Sequence, residues 1–447
     1  MCTVQDVEST ERRVVVIGAG VVGSAIALSC TKRGWTTTVI ERNHAPGNGS
    51  TAASSAVVRF TYSTIAGTAL AYEGVEYWRN WAEFLGLPPG TPLARFVQCG
   101  MVFFDDPSGL ARLSLPPLDT VGVPYEWWGL EELERRMPFL ETTSWFPPTR
   151  PDKEEFFSES TNRIGGALYT AEAGYITDPQ LAAQNLADAA QAAGARLLLN
   201  QKVVRVVRTM EATGPRVTGV RLASGELIEC DVAVNAAGPH SSFVNSMAGV
   251  LDDMTVSTRP LRQQVDHVRA PGPFADTVRS LPACADFDSG MYFRPDGDAV
   301  LVGGVEAQCD PMVWLDEPDE LVPDLDPAEW EAHVMRLARR IPEMGVPHAR
   351  HGVVGLYDVS DDWLPIVDRS NLDGFYMAVG TSGNQFKNAP VLGDCMVELI
   401  DAVEGGHDHD HDPLVVTGRY RGLRIDLGTF SRRRTIADDS NHRGVLG

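Results

Sequence analysis

Val14-Val15-Val16-Ile17 is an unbroken β-branched run with no polar residue to mark an outer face, the pattern of a strand buried on both sides of a parallel sheet, and it stops at Gly18. The stretch from Val22 to Arg33, closed by Gly34, reads as a helix, and Thr36-Thr37-Thr38-Val39-Ile40 reads as a second strand. Together they form a compact βαβ unit. Farther on, Asp178-Pro179 opens a helical stretch that runs through Ala193 and ends at Gly194. Residues 196–200, 203–207 and 231–235 read as strands, the last followed by Ala236-Ala237-Gly238-Pro239. Between these pieces, residues 91–170 and 251–350 are richer in proline and tryptophan and alternate in strand fashion, as in Met291-Tyr292-Phe293-Arg294.

The expected fold class is therefore α/β: a Rossmann-like nucleotide-binding domain made from residues 1–90, 171–250 and 351–404, with a second α+β substrate domain from 91–170 and 251–350 built on a mainly antiparallel sheet. Residues 405–447 are left as a C-terminal tail, in which Gly405-Gly406-His407-Asp408-His409-Asp410-His411-Asp412 is expected to be a solvated loop rather than a metal site.

Gly18-Ala19-Gly20-Val21-Val22-Gly23 fits Gly-x-Gly-x-x-Gly, with one glycine for the turn, one for close approach of a pyrophosphate and one for packing the helix on the strand. The free amides and dipole of the helix N-terminus then meet the phosphates. Glu41 ends the next strand, where a carboxylate accepts both ribose hydroxyls. The fingerprint does not separate FAD from NAD, and Arg42 leaves room for a 2′-phosphate. The small-residue run Asn48-Gly49-Ser50-Thr51-Ala52-Ala53-Ser54-Ser55-Ala56 lets backbone lie against a flat ring system, although its composition also suits a flexible linker.

Composition narrows the partners. A net charge of −22 argues against nucleic acid and anionic membranes, and Arg432-Arg433-Arg434 is the basic patch that stands out against it. The 7 cysteines are scattered, without a Cys-x-x-Cys pair, so neither a disulfide framework nor a zinc site is suggested and a reducing cytoplasm fits. The uncharged stretch from Val14 to Cys30 is broken by three glycines and preceded by Asp6, Glu8 and Glu11, so it reads neither as a signal segment nor as a membrane span. His240 and His267 read as structural.

Four blocks give the chain its resemblance to the D-amino-acid oxidase superfamily of FAD-dependent oxidoreductases, in the branch of monomeric sarcosine oxidase and dimethylglycine dehydrogenase. They are Val14 to Glu41, Gly49 to Tyr62, Asn235-Ala236-Ala237-Gly238-Pro239, and Gly380-Thr381-Ser382-Gly383-Asn384-Gln385-Phe386-Lys387-Asn388-Ala389-Pro390 leading into a helix. The resemblance implies FAD as cofactor, contacted by Gly18, Gly20, Val22, Gly23, Glu41, Arg42, Ser50, Thr51, Ser54, Ser55, Val204, Ala237, Gly238, Gly355, Gly380, Gly383, Asn384, Gln385, Phe386 and Lys387. It places Arg59 and Lys387 on a substrate carboxylate, which a guanidinium fork and an ammonium point charge both suit. Tyr62 lies near that arginine, and Tyr292 and Tyr357 match tyrosines projected over the substrate. Arg294 is open between substrate ligand and structural ion pair.

The departures are informative. The family's covalent flavin tethers, a cysteine in one branch and a histidine in the other, correspond to Gly355 and Ala53, so the flavin is expected to be non-covalent. The oxygen-activating lysine of sarcosine oxidase corresponds to the neighbourhood of Leu301, so dioxygen and an electron-transfer acceptor both stay open. The implied reaction is hydride transfer from a carboxylate-bearing amine or amino acid, secondary or N-methyl amines favoured, to flavin N5, giving an imine that hydrolyses. A 2-hydroxy-acid dehydrogenase or a non-catalytic assembly factor would fit the same scaffold, and oligomeric state is not legible.

Overall fold

A computed structural model describes residues 12–436 apart from 213. Cys2 and the acidic positions Asp6, Glu8 and Glu11 lie outside the described residues, as does the end of the segment expected as a tail.

The βαβ unit forms as the hydrophobic pattern predicts. Arg13–Ile17 is a strand, Val21–Lys32 a helix and Thr36–Ile40 a strand. These strands lie in a six-stranded sheet ordered Ile366–Arg369, Phe375–Val379, Val232–Asn235, Arg13–Ile17, Thr36–Ile40, Arg196–Leu198. Every neighbour pair is parallel except Ile366–Arg369 with Phe375–Val379. The unpatterned run at Val14 is explained by what covers each face. Val14 and Val16 pack with Ala25 and Leu28 of the opening helix, Leu186 of helix Pro179–Ala192 and Leu399 of helix Ala389–Glu404. Val15 and Ile17 point the other way, onto Val206, Val220 and Ile228 of a three-stranded meander, Val203–Glu211, Gly214–Leu222 and Leu227–Glu229. A strand clothed on both sides by apolar layers has no use for a polar residue.

The second sheet has eight strands, ordered Gly352–Ser360, Thr258–Arg269, Ala299–Gly304, Met291–Asp296, Ala283–Asp286, Met101–Asp105, Gly166–Thr170, Glu126–Gly129. It is antiparallel but for the pairing of Ala283–Asp286 with Met101–Asp105. The alternation along Met291–Asp296 sorts its side chains between two layers. Met291 and Phe293 pack with Val334 and Leu337 of helix Pro327–Arg340, whereas Tyr292 and Arg294 face the first sheet's loops. The α/β architecture with one parallel and one mainly antiparallel sheet thus agrees with the expectation.

The 405–412 tract departs from it. Val415–Thr417 and Arg424–Asp426 form a hairpin, and His409 is 2% exposed, with Nε2 3.5 Å from Asp368. Arg432 is fully buried among Asp253 (2.5 Å), Asp368 (3.0 Å) and Asp410 (2.7 Å), while Arg433 pairs with Asp253 and Arg434 with Asp362. The apparent basic patch is consumed internally, and Asp410 is one of its counter-charges. A guanidinium buried at this depth requires partners on every side, and the acidic tract supplies one of them.

Candidate functional site

Two spaces are lined by successive parts of the small-residue run. The first is a cleft of about 1730 Å³ lined by Gly18, Gly20, Glu41, Arg42, Ser50, Thr51, Val203, Ala237, Gly238 and Gly355, among others. The second is a cavity of about 740 Å³ lined by Ser54, Ser55, Arg59, Tyr292, Tyr357, Gly383, Asn384, Phe386 and Lys387, with Met101, Phe287 and Val305 among its apolar lining. The small-residue run passes from one to the other, Ser50 and Thr51 in the cleft, Ser54 and Ser55 in the cavity.

The cleft is built from backbone. Gly18 has φ +104°, and a Cβ there would lie 2.4 Å from the Ala236 carbonyl oxygen; one on Gly23 would lie 2.0 Å from the Gly18 oxygen. These contacts press the helix N-terminus onto the sheet and leave its amides facing the cleft. Thr51 Oγ1 accepts the Val21 amide at 3.1 Å, tying the small-residue run to the same helix end. Glu41 is buried and accepts the amides of Ala19 and Asn43, each at 2.8 Å. Each carboxylate oxygen keeps a further acceptor site for a hydroxyl. An elongated cleft with an open glycine turn at its middle and a fixed carboxylate at one end fits a dinucleotide.

Most of the expected cofactor residues meet here, and several depart. Val204 projects to solvent and Val203 lines the cleft instead: the strand alternates, and the expected position is one residue off the inward face. Val22 is buried in the opening helix. Arg42 is engaged by Asp319 (2.7 Å) and His240 (2.6 Å) at the cleft mouth. Gly380 (φ +63°) donates its amide to the buried Asp358 at 2.6 Å, so it sets the loop without lining either space. Gln385 is buried and its Oε1 accepts from Asn388 at 2.7 Å, again supporting the loop. At Gly383 (φ +70°), a Cβ would sit 2.2 Å from the Tyr357 ring, so only glycine admits that ring. Gly355 and Ala53 face each other, a Cβ on the first falling 2.6 Å from that of the second.

The cavity is built from side chains brought from four distant segments. Arg59 and Lys387 are buried, and both stack on one ring: Arg59 Cζ lies 4.6 Å and Lys387 Nζ 4.8 Å from the centroid of Tyr62. Lys387 Nζ donates to the Asn384 carbonyl at 2.6 Å, and Tyr62 Oη donates to that same carbonyl at 2.8 Å. Arg59 donates to the carbonyl of Thr61. Burial, then repulsion from Arg59, drives the Lys387 ammonium well below its ordinary pKa; burial also lowers that of Arg59. Two buried cations beside one aromatic ring are an arrangement suited to an anion, because a carboxylate there would offset the burial cost of both.

Across from them Tyr292 and Tyr357 lie within electrostatic reach of each other, and Tyr292 pairs with Ser55 Oγ at 2.7 Å. Burial raises both phenols, so they serve as neutral hydrogen-bonding groups. Arg294 resolves as structural: it donates to the carbonyls of Ser55 (2.6 Å) and Pro295 (2.7 Å) and lies 4.3 Å from the Tyr175 ring. It pins the small-residue run to the second sheet. His267 contacts Asp296 at 3.6 Å on the surface.

Sequence reasoning missed Glu306. It follows Gly303-Gly304-Val305 at the end of strand Ala299–Gly304, has φ +53°, and lies within electrostatic reach of Arg59, Tyr292 and Tyr357. Burial raises its carboxyl to about 8. Its only signal in the sequence is a carboxylate directly after an apolar strand and a glycine pair.

Residues 13–399 match the family described as DAO, FAD dependent oxidoreductase, and the chain belongs to that family. Curated relatives include human mitochondrial sarcosine dehydrogenase, 29% identical over 52% of this chain and 24% of the relative, and the 4-methylaminobutanoate oxidase (formaldehyde-forming) of Paenarthrobacter nicotinovorans, 23% identical over 91% of this chain and 46% of the relative. The chain thus spans about a quarter to a half of the length of these relatives. Among solved structures, L-proline dehydrogenase from P. horikoshii superposes with a TM-score of 0.72 at 21% identity, covering 95% of this chain and 97% of that one. Glycine oxidase from Geobacillus kaustophilus superposes with a TM-score of 0.70 at 20% identity, covering 95% and 100%. At these identities the structural likeness establishes the fold. Among the described residues no helix is long and apolar enough to cross a membrane, and no cluster of ligating side chains suited to a metal is present.

Proposed function

We propose, from membership of the FAD-dependent oxidoreductase family, that this chain oxidises a small carboxylate-bearing amine or amino acid, with secondary or N-methyl amines favoured, to an imine that water hydrolyses. The observation that carries this reading is the pair of buried cations, Arg59 and Lys387, stacked on Tyr62 in a cavity that Tyr292 and Tyr357 also line. The names of the sarcosine and 4-methylaminobutanoate relatives, both substrates with a methylated nitrogen and a carboxylate, support the same class.

The cofactor residues would be Gly18 and Gly20 at the pyrophosphate, Glu41 at the ribose, and Ser54, Ser55 and Gly383 beside the ring system, with Gly23 packing the helix on the strand. When bound, FAD supplies the two-electron acceptor. The chain's own residues do the rest. Arg59 and Lys387 clamp the carboxylate and so fix the substrate in one orientation, which converts a diffusional encounter into an aligned one. The tyrosine pair, unionised, bounds the nitrogen end with hydroxyls. Met101, Phe287 and Val305 shed water from the reacting carbon. With Gly355 and Ala53 in contact and neither bearing a nucleophile, the cofactor is held without a covalent bond.

Among the described residues no histidine lines the cavity, which favours amine over 2-hydroxy-acid oxidation, since removing a hydroxyl proton more often needs a base. An open cavity lined by two cations speaks against a purely structural role. The test is anaerobic mixing of the flavin-loaded protein with N-methyl amino acids, amino acids and 2-hydroxy acids. Bleaching by amines and not by hydroxy acids supports the reading, and no bleaching by any of them overturns it. Readmitting oxygen and measuring recovery of the yellow colour then separates oxidase from dehydrogenase.

A further inference from the structure

Arg59 and Lys387 account for a carboxylate. A zwitterionic substrate also carries an ammonium, and that positive charge has to be met in a cavity already holding two buried cations. It also has to lose a proton before the nitrogen lone pair can drive oxidation. One further buried carboxylate answers both needs.

Val305 lines the cavity, and Glu306, next in the chain, lines a second, outer cavity. Its Oε1 accepts from Gln263 Nε2 at 3.1 Å, whereas its Oε2 is buried and has no hydrogen-bond partner. A buried carboxylate oxygen left without a donor is costly, and native structures seldom keep one without use. The backbone at Glu306 is itself strained, since φ +53° lies in the left-handed region that a non-glycine residue occupies at some cost. Strain, burial and an unsatisfied oxygen thus converge on one residue beside the reacting space.

The surroundings leave that oxygen available. Toward the cavity, Arg59, Tyr292 and Tyr357 lie within electrostatic reach of Glu306, and on the outer side Asp310 does. The other charged groups of the outer cavity are engaged elsewhere: Arg150 with Asp310, Arg262 with Glu329, His333 with Asp266, and Asp326 at a helix N-terminus. Glu320 also lines that cavity, adding to its negative field.

We propose that Glu306 is the group that receives the substrate's ammonium, pairing with it and taking one of its protons; the inference rests on the carboxylate-bearing amine reading above. In that step one N–H bond breaks and one O–H bond forms on the Glu306 carboxylate. The nitrogen keeps the electron pair, the ammonium becomes a neutral amine, and the carboxylate becomes a neutral acid. Its proton leaves afterwards to water in the outer cavity. Burial weakens the Glu306 carboxyl as an acid, to about 8, which suits it to hold and release that proton near neutral pH.

The test measures binding by calorimetry on the flavin-loaded protein under anaerobic conditions, with two probes of similar size: N,N-dimethylglycine, a cationic nitrogen with a carboxylate, and methoxyacetate, a neutral ether with a carboxylate. In the wild type, the ratio of dimethylglycine to methoxyacetate affinity rises between pH 6.5 and 9 as Glu306 ionises, any loss of charge on Lys387 cancelling in the ratio because both carboxylates meet it. Glu306→Gln weakens dimethylglycine about 10-fold or more at pH 9, abolishes that pH dependence and leaves methoxyacetate within about 2-fold. Glu306→Asp recovers part of the discrimination, which a merely structural residue would not give. If both probes bind the wild type and Glu306→Gln weakens them equally or neither, the role of Glu306 is overturned and the substrate class survives. If neither probe binds the wild type, the substrate class falls, and the role of Glu306 with it.

Discussion

The cleft and the cavity lie end to end on the same small-residue run, yet they recognise by opposite means. The cleft offers main-chain amides at one helix end and the buried Glu41 carboxylate, both from the stretch between Gly18 and Thr51, with residues 201–203, 236–247, 317–321 and 354–356 completing its walls. The cavity offers the side chains of Arg59, Tyr292, Tyr357 and Lys387, from separate segments of the chain, with the two cations buried. Backbone recognition tolerates side-chain change and is stable in its own right. A buried constellation that holds two like charges is neither, because Arg59 and Lys387 are both desolvated and each repels the other. The comparison implies that mutations in the cavity trade stability against function, and those in the cleft do not.

The largest effect expected is at the cation pair. Arg59→Ala should weaken binding of a carboxylate-bearing substrate by about 100-fold or more while the purified protein stays yellow, read as the half-saturating concentration in anaerobic flavin reduction against the flavin-to-protein absorbance ratio. Loss of colour in step with loss of substrate affinity would put Arg59 in the cofactor site and dissolve the distinction. Lys387→Met should cost comparable affinity and yet raise the melting temperature of the substrate-free protein by about 2 °C or more, since a flexible apolar chain of similar length replaces a desolvated ammonium. A lower melting temperature in Lys387→Met would mean that the buried lysine is already compensated.

How much of this was legible follows the same division. The βαβ unit and Glu41 could be read directly because their signal is local: a β-branched run, three glycines at fixed spacing and a carboxylate at the next strand end. Arg59, Lys387, Tyr292 and Tyr357 were legible through family resemblance, since nothing in their flanking sequence announces that they converge. Val204 failed by one residue because strand register decides facing and a single sequence does not fix it. Glu306 escaped because its importance lies in an unpaired oxygen and a strained backbone, neither of which has a sequence signature. The 405–412 tract misled for a related reason: its composition is that of a surface loop, and the buried Arg432 that recruits Asp410 is more than twenty residues away.

An intermediate effect is expected at Gly383→Ala, where the added methyl meets the Tyr357 ring and the φ of +70° is unfavourable for alanine. The variant should lose about 2 kcal/mol or more of stability by denaturant titration and lose substrate-dependent bleaching before it loses flavin. Gly238→Ala, with φ +57° and open space around its Cβ, should cost less, which makes the pair a measure of how much of the penalty at Gly383 is contact with the cavity wall rather than backbone.

The two regions also respond to pH with opposite sign. Asp358, buried under the loop that carries Gly383, has its carboxyl raised to about 7 by burial, the Gly380 amide pulling it back only in part. A folded pKa above the unfolded one means that the folded form holds its proton longer, so this contribution to stability is complete below about pH 4 and is lost as pH rises toward about 7. Asp358→Asn should flatten that decline in a series of melting temperatures between pH 4 and 8. An unchanged slope would assign the decline to other groups.

The smallest effect is expected at the cleft mouth, where Asp319 on the Pro318–Glu320 turn bridges Arg42 (2.7 Å), His240 (2.9 Å) and Lys202 (3.8 Å). This turn comes from the segment that follows the second sheet's strands and lines the cleft with Glu317, Pro318 and Leu321, so it straps that segment across the cofactor's end. Hydrogen bonds from Arg42 and His240 hold the Asp319 carboxyl at about 2, the reverse of Asp358, so the strap is intact at neutral pH and loosens only as pH falls toward 2. Asp319 is half exposed, its pairs are screened by solvent and salt, and their contribution is accordingly modest. Asp319→Asn should therefore speed flavin release by about 2- to 5-fold at low salt, measured by fluorescence recovery on dilution, with substrate affinity unaltered. In 0.5 M salt the wild type should approach the variant. A variant that releases flavin no faster at any salt would leave the backbone cradle to retain the cofactor unaided, and would extend the contrast with the cavity to its limit.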